Sequence, residues 1–86
     1  MNDDQVQARI EELECEERRL RSDEQAAADT AGTERLAADA SRLEEVRVEL
    51  DRLWDYLRQR RALRAAGQDP DGAQMRDART VERYLG

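Results

Sequence analysis

The chain has 86 residues, 42% of them charged, and its 21 acidic against 15 basic side chains leave a net charge of −6. That length supports one small domain at most, and a single core below about 80 residues rarely contributes more than roughly 3–5 kcal/mol without a staple or a partner. The absence of histidine and the single cysteine exclude a zinc finger, a Ser-His-Asp triad, a histidine general base and an intramolecular disulfide.

The opening Met1-Asn2-Asp3-Asp4 is acidic where a secretory leader would be basic, and nowhere do about 18 apolar residues run together. A cytoplasmic protein with no membrane span is expected. From Asp4 to Ala28 there is neither proline nor glycine, and Val6, Ile10, Leu13 and Leu20 recur at helical steps, so this stretch reads as a helix with one apolar stripe. Asn2 or Asp3 suits its N-cap, and Asp3 and Asp4 suit the positive end of the helix dipole. The run Asp29-Thr-Ala-Gly-Thr33 combines residues that compete with helical backbone bonds and a glycine, which predicts a turn. Thr33 can cap a second helix whose stripe is Leu36, Leu43, Val46, Leu50, Leu53 and Leu57, ending near Ala66 with Gly67 as the residue after the cap.

If the chain doubles back, facing residues must have numbers that add to one constant. Val6 with Leu57, Ile10 with Leu53, Leu13 with Leu50, Leu20 with Leu43 and Ala27 with Leu36 all meet that condition and centre the bend between Ala31 and Gly32. Turn chemistry and stripe register therefore agree on an all-α fold: an antiparallel two-helix coiled-coil hairpin over residues 1–66, each pair joining an a to a d position. The same register sets Glu17 opposite Val46 and Glu24 opposite Asp39, so the seam is expected to be poor and loose toward the bend. Glu17 is also expected to pair with Arg42 or Arg47.

Residues 67–86 form a C-terminal tail. Asp69-Pro70 resembles an N-cap with proline at the first helical position, and Thr80 with Val81-Glu82-Arg83-Tyr84-Leu85 reads as a last short helical turn. At the open end of the hairpin the apolar surface widens, because Trp54, Tyr56 and Leu63 flank the stripe. Met75, Val81, Tyr84 and Leu85 are expected to pack there. Trp54, Tyr56, Leu63 and Tyr84 are accordingly the candidate interface residues, holding either the tail or a second subunit. A lone hairpin buries one seam only, so homodimerisation into a four-helix bundle is expected, with an obligatory hetero-partner as the alternative.

The segment Leu50-Asp51-Arg52-Leu53-Trp54-Asp55-Tyr56-Leu57-Arg58-Gln59-Arg60-Arg61, followed by Gly67, Asp69-Pro70-Asp71 and Val81-Glu82 with Tyr84, resembles a family of short actinobacterial proteins classed as a domain of unknown function. Leu13, Glu16-Glu17 and Leu20-Arg21 carry a weaker likeness, and the family often has histidine where Arg18 stands. The resemblance implies a bacterial cytoplasmic protein whose arginine-rich end is a shared feature. It implies no activity.

Chemistry is concentrated in Arg58, Arg60, Arg61 and Arg64, which have no acid among them between Tyr56 and Gln68. Residues 1–55 carry 17 acids against 8 arginines and residues 56–86 carry 4 against 7, so the cluster sits on the positive part of an acidic chain. Register places Arg60 opposite Asp3, and internal pairing with Asp3, Asp4 and Asp55 accounts for the cluster without a ligand. An acidic protein surface is a second reading of the same arginines, and a phosphate-bearing partner such as nucleic acid or a nucleotide is a third. The isoelectric point of 4.7 weighs against the last. Cys15 lies among Glu14, Glu16 and Glu17, which oppose thiolate formation. Glu12 with Glu16 and Glu45 with Glu49 lack the Glu-x-x-His partners of di-metal bundles. With no nucleophile and base in one place and no cofactor motif, a non-catalytic protein–protein adaptor or regulator is expected, and a nucleic-acid or nucleotide-binding module is the alternative.

Overall fold

The computed structural model describes residues 1–30, 33–77, 79 and 81, with side-chain surroundings outside 23–36. Helix α1 spans Asp3–Thr30 and helix α2 spans Thr33–Ala65, and they pack as an antiparallel pair followed by a single 3-10 turn at Pro70–Gly72. At 33 residues α2 is roughly 50 Å long, which sets the long dimension of a slab measuring 55 × 25 × 15 Å. Such a slab is one helix thick. Its two broad faces therefore meet solvent wherever the tail does not lie over them.

Both ends of the open side are closed by backbone chemistry that the sequence announces. The Gln5 N–H donates to Asn2 Oδ1 at 2.8 Å while the Asn2 N–H donates to Gln5 Oε1 at 2.9 Å, a reciprocal cap that satisfies two otherwise free donors. At the end of α2, Gly67 takes φ of 73°, the Gln68 N–H reaches the Leu63 carbonyl at 2.8 Å and the Gly67 N–H reaches that of Arg64 at 3.1 Å. This is the Schellman arrangement, and it needs a residue free to adopt positive φ at that point.

The core is the expected seam. Val6, Ile10, Leu13, Val46, Leu50, Leu53 and Leu57 form one buried cluster, with Leu20 partly buried against it and Leu43 also buried. Tyr56 joins this cluster from beside the stripe, and its hydroxyl donates to the Met1 carbonyl at 3.2 Å. Toward the bend the seam deteriorates as the register requires: Glu17 is only half-buried, and Asp39 Oδ2 is buried with no hydrogen-bond partner among the described residues. The Ala31–Gly32 bend lies outside the described residues, as do the side chains of Glu24, Ala27 and Leu36.

The tail folds back onto α2 at the open end of the hairpin. After the 3-10 turn, capped by Asp69 accepting from the Asp71 N–H at 2.9 Å, it runs back along α2 past Gln59 and Arg52. Gln59 and Gln74 exchange two hydrogen bonds, Nε2 to the Gln74 carbonyl at 2.7 Å and the Gln74 N–H to Oε1 at 3.1 Å, and Arg52 Nε donates to the Arg76 carbonyl at 2.8 Å. Side-chain amide and guanidinium groups thus satisfy an extended backbone that has no strand partner. Met75, 40% exposed, lines a groove with Met1, Val48 and Leu53, whereas Trp54, 36% exposed, borders a different one. The apolar residues that the tail region buries are Ala73, against the core, and Val81, whose N–H bonds the Asp77 carbonyl at 3.1 Å. Thr80, Tyr84 and Leu85 lie outside the described residues.

Candidate functional site

The four arginines of α2 part company in the structure. Arg60 occupies the next seam position after Leu57 and is buried. Its Nε donates to Asp3 Oδ1 at 2.6 Å, its Nη1 donates to Asp71 Oδ1 at 3.0 Å and to the Pro70 carbonyl at 3.3 Å, and its guanidinium carbon lies 5.9 Å from the Tyr56 ring centre. One side chain therefore ties together the start of α1, the end of α2 and the turn of the tail. Arg64 adds a second contact to Asp3, at 2.9 Å to Oδ2, while remaining 53% exposed. Hydrogen bonds from Arg64 and then Arg60 hold the Asp3 carboxyl down at about 2, and those from Asp3 and Asp71 push the Arg60 guanidinium up. The expected pairing with Asp55 does not form, because Asp55 accepts from Gln59 Nε2 at 2.9 Å and faces Arg76 at 3.7 Å.

Arg58 and Arg61 are exposed and have no ion pair or hydrogen bond among the described residues. They are the arginines of the cluster left open to a partner, with Arg64 partly so. Of the candidate interface residues, Tyr56 is buried and Leu63 half-buried. A side chain added at Gly72 would lie 3.7 Å from Leu63 Cδ1, so the tail turn sits directly on it. Trp54 is exposed on a broad face, and Tyr84 is outside the described residues.

The two broad faces carry different electrostatics. On one, Arg9 grips Glu49 with Nε at 3.0 Å and Nη2 at 3.2 Å, and Arg42 grips Glu16 with Nε at 2.7 Å and Nη2 at 2.9 Å. These bidentate pairs cross from helix to helix, and Arg42 holds the Glu16 carboxyl below its ordinary range. Met1, Val48 and Met75 line a shallow groove between them. On the other face a groove floored by Leu50 is bounded by Glu14, Arg18, Arg47, Asp51 and Trp54. Its only ion pairs among the described residues are the long ones from Glu17 to Arg21 at 3.6 Å and to Arg47 at 3.9 Å. Glu17 does not meet Arg42, which is taken by Glu16.

Sequence reasoning placed Arg60 against Asp3 by register but missed Asp71, since the path of the tail is not periodic. It also missed the Trp54 groove as a unit, although Arg47, Asp51, Trp54, Arg58 and Arg61 recur at steps of four and three and so share one stripe beside the seam. Among the described residues no group of three or more acidic or cysteine side chains is arranged to hold a metal ion, and no helix is long and apolar enough to cross a membrane.

A family model described as a protein of unknown function, DUF2630, matches residues 2–86. Uncharacterized proteins of Mycobacterium tuberculosis and Mycobacterium bovis are 39% identical to the chain over 84 residues, covering 98% of it and 91% of each relative. No solved structure matches the chain.

Proposed function

The chain belongs to the family of proteins of unknown function DUF2630, and we propose that it works without catalysis, as a cytoplasmic adaptor or regulator that presents a charged helical surface to another protein. The observation that carries this reading is the division of labour among the arginines. Arg60 is consumed in holding the open end shut, whereas Arg58 and Arg61 stand exposed on the last turns of α2 with Arg64 beside them. An acidic partner surface matches these three groups. Their Coulomb attraction is partly screened at physiological salt, which suits a reversible contact. For a phosphate backbone the same three charges on a chain of net −6 make a small footprint, which ranks the nucleic-acid reading second.

Cross-linking in cytoplasmic extract of the source cells tests the adaptor reading. A defined protein partner should be recovered with the parent chain and lost with the Arg58→Glu, Arg61→Glu double variant, which touches no buried contact. Recovery of the same proteins by both forms would overturn it. A parallel oligonucleotide titration should show no retention at low salt; tight, steeply salt-dependent retention would favour the second reading.

A further inference from the structure

We propose that the Trp54 face is a self-docking surface, and that a second copy of this chain covers it in antiparallel orientation about a two-fold axis crossing α2 at Glu49. This goes beyond the adaptor reading and stands on separate observations. The first is that the charges of this face are left over. Glu11, Glu14, Arg18, Glu44, Asp51, Arg58 and Arg61 have no ion pair or hydrogen bond among the described residues, whereas the opposite face is closed by its own bidentate pairs. The second is a tryptophan 36% exposed beside a groove floored by Leu50. Indole area of this kind is what protein contacts are built around.

The third observation is the order of charges along each helix, which chooses the occupant. A two-fold axis lying in the plane of the face and perpendicular to the helices lays α2 on the α2 of the copy with direction reversed. On the stripe Ala37, Ala40, Glu44, Arg47, Asp51, Trp54, Arg58, Arg61, reversal about Glu49 pairs each residue with its mirror position. Arg47 then meets Asp51 of the copy, twice by symmetry. Trp54 covers Glu44, with Arg58 one turn away from that carboxylate. Arg58 and Arg61 lie over Ala40 and Ala37, whose small side chains leave the guanidinium groups uncovered at the rim. The hairpin register carries the same axis onto α1, where Arg18 comes opposite Glu11 to within one residue and Glu14 falls beside its own copy. A parallel arrangement lays α1 on the α2 of the copy and sets Asp51 against Glu11 and Glu14, twice by symmetry, where the antiparallel one has the single like-charge contact of Glu14 with its copy. The broad face measures 55 × 25 Å, larger than the about 800 Å² per partner of a standard stable interface. In such a dimer the two sets of exposed arginines stand about 30 Å apart on α2, at opposite ends, so that each dimer offers two acidic-partner sites.

Sedimentation velocity of the full chain over a range of concentrations tests this. A dimer is expected, weakening as salt rises. Arg47→Glu and Asp51→Arg should each weaken it at least about tenfold, because the axis counts every pair twice, and the double swap should restore it. Circular dichroism of each variant confirms that these surface positions leave the helices intact. In a Cys15→Ser background, Glu14→Cys should cross-link between chains under mild oxidation and Glu12→Cys, on the opposite face, should not. A monomer at every concentration, a dimer indifferent to the swaps, or the reverse cross-linking preference each overturns the proposal. The adaptor reading fails on a different measurement, loss of the charge-dependent partner, so a monomer that still captures that partner separates the two.

Discussion

The two broad faces are made by the same pair of helices, yet among the described residues one pairs its charges closely across the seam and the other leaves most of its charges unpaired. On the first, Arg9 and Arg42 each reach across the seam to a carboxylate on the facing helix. On the second, the nearest equivalents are contacts of 3.6 and 3.9 Å that share the single carboxylate of Glu17. In a layer one helix thick, the flanking positions of one face lock the hairpin while those of the other remain free to meet something else. Fold stability and recognition can thus be assigned to opposite faces of one coiled-coil pair.

The largest perturbation removes what both faces share. Leu53→Ala cuts into the buried cluster and should cost about 2–5 kcal/mol, a large fraction of the stability of a chain this small, read as a drop in the urea midpoint with both faces lost together. Unfolding of one helix without the other would show that the cluster is not a single unit.

Acid acts more locally. The Asp3 carboxyl is held near 2 against an ordinary 3.8, so the stability it contributes is present above pH about 4 and is lost as the pH falls toward 2. Protection against hydrogen exchange at Gln59, Gln74 and the tail turn should fall over that window, as Arg60 and Arg64 lose the Asp3 carboxylate. Asp3→Asn should show the faster exchange at neutral pH and no further change across the window; an unaltered acid response in that variant would remove Asp3 from the latch.

The smallest effects sharpen the contrast itself. Arg9→Ala should destabilise the isolated chain by about 0.2–1 kcal/mol, because its pair with Glu49 is half-exposed, while Arg18→Ala should stay within about 0.5 kcal/mol of zero. Equal losses from the two variants, measured by denaturant titration well below any dimerisation concentration, would erase the distinction between the faces.

Much of this hairpin was legible before any coordinates. Stripe spacing located Val6, Ile10, Leu13, Leu50, Leu53 and Leu57 in the core, the register predicted Arg60 over Asp3, and Gly67 marked the end of α2. These are periodic or local signals, governed by helical geometry over a few residues. Spacing placed Trp54 beside the seam but could not name what meets it, because on a two-helix layer that position has no element over it among the described residues. The tail was legible at Asp69-Pro70, whose cap forms as its sequence predicts, but not in its path. It has no period, and its route is chosen by Gln59, Arg52 and Arg60 donating to its carbonyls.

By itself, then, the order of residues determined which faces of two helices must meet and where the helices stop, because burial of a leucine stripe and the capping of free backbone groups depend on spacing alone. The same spacing set Arg60 opposite Asp3, but only the tertiary structure decided which of the other charges are consumed. A guanidinium is spent or free according to whether a carboxylate from a distant segment lies within about 3 Å of it, and that distance exists only once Asp3, Asp71 and Arg60 have been brought to one corner of the fold.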